Sequence, residues 1–223
     1  MRFFQQLQDS TRIEREQLLA NPLVTMALSG EMGRDTYVAF LCQAYHHVKH
    51  TLPLLMAAGS RLPQDKEWLR EALAEYIEEE LGHQEWVLND IEACGYDKEK
   101  ARHSQPNRAT EMMVAYAYHI IDRVDPVGFF GMVHVLEGTS VTVADEAAAC
   151  IASSTGLPAK AFSYLRSHGA LDIEHVAFFR KLMDRIEDPC DQQLIIHCAR
   201  NFYHLYAEVY SSVAAEQSQR LVA

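Results

Sequence analysis

Glycine and proline are scarce in this chain of 223 residues, which has 10 Gly and 7 Pro. With so few turn formers and no stretch of apolar and polar alternation, a strand-rich sandwich or barrel has no basis in the sequence. Leu, Ala, Glu and Gln recur at helical spacing instead, so an all-α protein is expected, read as one domain over residues 1–223. Positive charge is also short. Lys and Arg number 20 against 31 Asp and Glu, a formal charge of −11. Nucleic acid and anionic membranes both need a basic field, so neither is expected as a partner. No apolar run is read as reaching membrane-spanning length and no export signal is read near Arg2 and Phe3, so a cytoplasmic protein is expected. The five cysteines, Cys42, Cys94, Cys150, Cys190 and Cys198, show no metal-finger pairing and read as reduced thiols.

What is present is a series of apolar helical stripes. Residues 3–20 read as an opening surface helix, Pro22 starts a short one that ends at Gly30, and Asp35 or Thr36 caps the next, with Pro53 its kink or terminus. A long helix is expected from Asp65 to about Ala93, then one from Arg108 to about Val124 and another from about Val127 to Ser153. The last two cover residues 165–183 and about 191–213.

Several of these stripes carry ionisable residues where only hydrocarbon is expected. His168, Asp172 and His175, at i, i+4 and i+7, fall within about 60° of one another on a face shared with Leu165, Leu171 and Phe179. Glu80 projects near the centre of the stripe formed by Leu69, Leu73, Tyr76, Ile77, Val87 and Ile91, with His83 three residues on. Glu137 lies amid Phe130, Val133, Val141, Ala144, Ala148 and Ile151, and His134 flanks it as a rival ligand. An uncompensated buried carboxylate costs several kcal/mol, and a metal compensates it. Three carboxylates and three imidazoles around two dications leave a net charge near +1, and a nitrogen and oxygen shell without thiolate suits iron or manganese. Tyr45, His47, Tyr76, Phe130, His134 and Phe179 are expected pocket walls. His46 and His50 read as surface or secondary-pocket residues, and His197 and His204 as polar surface.

Glu80-x-x-His83, a lone Glu137 on a later helix, and His168-x3-Asp172-x2-His175 together resemble the ligand pattern of the haem-oxygenase-like di-iron oxidases. That branch belongs to a fold group that also holds TenA-like thiaminases and pyrroloquinoline quinone synthase. The resemblance implies a bundle of about seven helices, two Fe(II) ions, and use of dioxygen to oxidise a C–H or N–H bond of an aliphatic or amino-acid-like small molecule, by N-oxygenation, desaturation or oxidative decarboxylation. It also implies that Glu80, His83, Glu137 and His168 hold one iron and Asp172 and His175 the other, with the bridging carboxylate open, and that the chain forms a homodimer. Gly169 loosens a helix locally, so the second position is expected to be the weaker. Two other readings compete. One is a metal-free, TenA-like hydrolase with Cys42, Cys150 or Cys198 as nucleophile; the other is a helical binding protein with a polar core and no accessible cavity.

Overall fold

A computed structural model describes the backbone of residues 2–222, and the side chains of all of these except 167–175 and 216–222. Twelve α-helices and no strand occur among the described residues. In order they are α1 (Phe3–Ser10), α2 (Arg12–Leu19), α3 (Pro22–Ser29), α4 (Arg34–Val48), α5 (Thr51–Arg61), α6 (Glu67–Glu79), α7 (His83–Ala93), α8 (Lys98–Arg102), α9 (Arg108–His119), α10 (Phe130–Thr155), α11 (Ser163–Met183) and α12 (Pro189–Val222).

The count exceeds the expected seven because several stripes that read as continuous are broken. The opening helix divides at Thr11, whose hydroxyl turns back to donate to the Leu7 carbonyl. The stretch around His47 breaks after Val48, and Pro53 falls in the first turn of α5, where a missing N–H leaves no bond unmade. Short caps set other boundaries. The Asn21 side chain accepts from the Leu23 N–H at the start of α3, and that of Asn107 accepts from Thr110 at the start of α9.

Helix α10 is the axis of the bundle, packed against α3, α11 and α12. With the turn before it, residues Pro126–Thr155 form one helical stretch long and apolar enough to cross a membrane by length and composition, with a mean hydropathy of 1.3 over an 18-residue window. This corrects the expectation that no run reaches that length. That window is 61% buried within the bundle, as befits a core helix. Phe130, Val133, Ala144, Ala148 and Ile151 of the expected stripe are buried, whereas Val141 faces outward at 39% exposure.

At Gly131 the backbones of α10 and α12 come so close that an added Cβ would lie 2.6 Å from the Ala199 nitrogen and 2.9 Å from the Ile195 carbonyl oxygen. Neither atom can move without shifting a helix. Gly131→Ala should therefore destabilise the protein by about 1–3 kcal/mol, read as a lower urea midpoint. An unchanged midpoint would show that the two helices separate freely there.

Candidate metal centre and cavity

The long helix expected through Glu80 is interrupted. Gly82 adopts φ of 88°, a left-handed conformation that suits glycine, and the chain turns over residues 80–82 between α6 and α7. The turn leaves Glu80 as the C-cap of α6 and His83 as the first residue of α7. Their side chains meet across it, with Nδ1 of His83 2.8 Å from Oε2 of Glu80. The His83 ring also lies 4.1 Å from that of Trp86, centroid to centroid. Both groups are withdrawn from water, with side-chain exposures of 3% for His83 and 15% for Glu80.

Glu137 approaches from α10. The hydroxyl of Tyr76, on α6, faces its carboxylate, and burial, then the Glu137 charge, push that hydroxyl's pKa well above the ordinary tyrosine value. Tyr76, Glu80 and Glu137 all line a cavity of about 150 Å³. The cavity follows α10 from Met132 to Ile151, which at about 1.5 Å per residue is roughly 30 Å of helix. Among the described residues that line it there is no Lys, no Arg and no Cys.

The other half of the expected ligand set is on α11. Its backbone is helical throughout, and the side chains of His168, Asp172 and His175, with the surroundings of Gly169, lie outside what the structure describes. The direction of α11 is nevertheless set by residues at its two ends. Asp90 of α7 is hydrogen-bonded to Ser163 and Tyr164, and Tyr76 meets Phe178 with ring centroids 5.4 Å apart. Helix α11 therefore runs back antiparallel along α7 and α6.

The expected pocket walls divide. His47 and Tyr76 line the cavity, and His47 is buried with its ring 5.8 Å from that of Tyr206. Tyr45, Phe130, His134 and Phe179 are core residues off the cavity. His134 turns to the amino-terminal helices, where its Nε2 lies 3.3 Å from the Thr11 hydroxyl. Because Thr11 already donates to Leu7, the imidazole is the donor in that pair.

His46 corrects the surface reading, being 1% exposed. Ser104, in the connection between α8 and α9, covers it, with Oγ 2.8 Å from Nε2, while Lys49 donates to Nδ1 at 3.1 Å. Burial and Lys49 push its pKa down to about 4. With Lys49 donating to Nδ1, Nε2 carries the proton, so His46 cannot serve Ser104 as a base. His50 is half-buried beside the Tyr118 hydroxyl, 3.1 Å away, and His197 and His204 are exposed as expected. Cys42 and Cys150 are half-buried, and burial raises the pKa of the Cys198 thiol to about 11.

Tyr164, Tyr206 and Tyr210 are lining residues that sequence reasoning did not single out. Tyr206 and Tyr210, at i and i+4 on α12, carry the pattern of an ordinary core stripe. Asp90 was missed although a signal existed, since it is a carboxylate amid Val87, Leu88 and Ile91 and is fully buried.

The order and packing of the helices define a haem-oxygenase-like fold. A protein domain of unknown function with that fold from Shewanella denitrificans is similar over 96% of this chain and 93% of its own, at 22% identity and a TM-score of 0.86. A TenA homologue from Pseudomonas syringae pv. tomato covers 96% of this chain and 93% of its own, at 12% identity and a TM-score of 0.78. A CADD-like protein of unknown function from Nostoc punctiforme covers 95% and 98%, at 19% identity and a TM-score of 0.73. The family model for iron-containing redox enzymes matches residues 38–207, and the chain belongs to that family. No match is found among curated proteins.

Proposed function

We propose that the protein is an iron-dependent oxidase that activates dioxygen and acts on an aliphatic small molecule, with two Fe(II) ions held by Glu80, His83, Glu137, His168, Asp172 and His175. The observation that carries this reading is that Glu80 and Glu137 both line one apolar cavity whose described lining offers no Lys or Arg. Two carboxylates in such a place need cationic charge, and oxygen and imidazole donors fit a ferrous ion. Membership of an iron-containing redox enzyme family agrees.

Bound iron would supply one-electron and dioxygen chemistry that no amino-acid side chain provides. The remaining work belongs to the chain. Glu80 and His83 offer adjacent oxygen and nitrogen donors across the turn, and the Tyr76 hydroxyl fixes one orientation of the Glu137 carboxylate. Leu54, Leu55, Met132, Val133 and Val143 shed water from the reacting region and hold hydrocarbon beside it. The same lining selects among the substrates the resemblance implies. A free amino acid is charged over most of its length, whereas an alkyl acid or amine has a chain that this apolar lining can hold beyond its one charged end. A TenA-like hydrolase would need a thiol at the cavity, and none of its described lining residues is Cys.

The test is anaerobic reconstitution with Fe(II), followed by oxygen in the presence of linear alkyl acids, amines and free amino acids. Stoichiometric iron, oxygen-dependent oxidation of that iron, and turnover confined to alkyl substrates are expected. Protein that retains no iron yet degrades thiamin until its thiols are alkylated would overturn the reading.

A further inference from the structure

Helix α11 begins without a cap of its own. Phe162 occupies the N-cap position and has no side-chain acceptor, so the N–H groups of the first turn need one from elsewhere. Asp90 provides it from α7. Its Oδ1 accepts from the Ser163 N–H at 3.0 Å and from the Ser163 hydroxyl, and its Oδ2 accepts from the Tyr164 N–H at 2.8 Å. A carboxylate placed there also opposes the positive end of the helix. Just upstream, the Tyr37 hydroxyl donates to the Ala161 carbonyl at 2.9 Å, so the chain entering α11 is held too.

The same short helix that makes this cap carries His83. Asp90 and His83 are seven residues apart on α7 and share a face, separated by about 10.5 Å along the axis. Because α11 runs antiparallel, an equal distance from Ser163 reaches the backbone at residue 170, between the positions of His168 and Asp172. A slip of α11 by one turn would move that stretch by roughly 5.4 Å, more than a metal–ligand bond can absorb.

We infer that Asp90 is a positioning residue: by capping α11 from α7, it fixes the register that sets the His168-to-His175 stretch against Glu80 and His83. The inference rests on the proposed metal centre for its purpose, but the clamp itself is tested without metal.

Asp90→Ala removes all three acceptor contacts, Asp90→Asn keeps one acceptor oxygen, and Ser163→Ala removes the hydroxyl contact alone. Co(II) affinity, the visible spectrum of bound Co(II) and thermal unfolding are measured on each, with amide exchange across residues 163–178 in metal-free protein. If wild type binds Co(II), Asp90→Ala should weaken binding roughly 10- to 100-fold and alter the spectrum, Asp90→Asn should recover part of both, and Ser163→Ala should have the smallest effect. In metal-free Asp90→Ala, exchange should accelerate along the whole of 163–178, beyond the first turn. Should Asp90→Ala not fold, the Asp90→Asn and Ser163→Ala series carries the same test. Unchanged affinity and spectrum in Asp90→Asn and Asp90→Ala, or faster exchange at residues 163–165 only, would overturn the inference. If wild type binds no metal, the functional reading fails while the exchange result still decides the clamp.

Discussion

Glu137→Ala should abolish tight iron binding, by at least a hundredfold in affinity, and leave the helical content unchanged. The two halves of this expectation have separate causes. The bundle is held by its apolar core, in which Phe130, Val133, Ala144, Ala148 and Ile151 of α10 are buried and untouched by the change. Glu137 contributes a charge at the cavity wall rather than packing, so with no metal bound its removal sets the relief of a desolvated carboxylate against the loss of its contact with the Tyr76 hydroxyl. The metal centre, in contrast, loses the one carboxylate that α10 supplies to the proposed set. Tyr76→Phe should weaken binding less, because it frees the Glu137 carboxylate without removing it. Bound iron per chain, measured beside circular dichroism and thermal unfolding, checks both variants. His134→Ala serves as the control for the rival ligand. Its imidazole is committed to Thr11, so iron should be retained, and loss of iron there with retention in Glu137→Ala would reverse the assignment on α10.

How far the sequence carries the reading can be judged at particular residues. Periodicity identifies the apolar side of each helix, because Leu69, Leu73, Tyr76, Val87 and Ile91 of the stripe are buried and Ile77, at its margin, is half-buried. It does not reveal the break between Glu79 and His83, because the apolar phase resumes on the far side of the turn as though the helix had continued. Gly82 was the available signal, a residue whose positive φ permits a turn that its neighbours would resist. Within the bundle, periodicity also cannot separate plain core from cavity wall. Phe130 and Phe179 belong to the former and Tyr206 and Tyr210 to the latter, and the difference is set by which helix packs opposite. The burial of His46 depends on Ser104, 58 residues away, and that of His134 on Thr11, 123 residues away. No local pattern encodes such partners. Asp90 is different, since its i+7 relation to His83 on an apolar face was open to the argument that identified Glu80.

Stability should fall steeply as the pH is lowered from about 6.5 toward 4, and His134 should account for a separable part of the loss. Its ring is enclosed by Phe4, Phe179 and Tyr203, with centroid distances of 6.4, 6.0 and 6.1 Å. Burial, assisted by Arg15, pushes its pKa down to about 3. In the unfolded chain an imidazole titrates near the ordinary 6.5, so between the two values the unfolded state binds a proton that the native state refuses. The native state is therefore favoured fully above pH 6.5, and this advantage is lost as the pH falls toward the folded value. The slope is about 1.4 kcal/mol per pH unit for one such group. His46, pushed down to about 4, adds a second contribution of the same sign over the upper part of the window. Urea denaturation of wild type and His134→Gln at pH 7, 6, 5 and 4.5 isolates the first group. The variant has lower stability at pH 7, where its amide must replace the imidazole beside Thr11, but its dependence on pH should be shallower by close to one proton. Parallel curves would mean that His134 takes up a proton without unfolding the protein, which requires water or a carboxylate to reach a ring packed among Phe4, Phe179 and Tyr203.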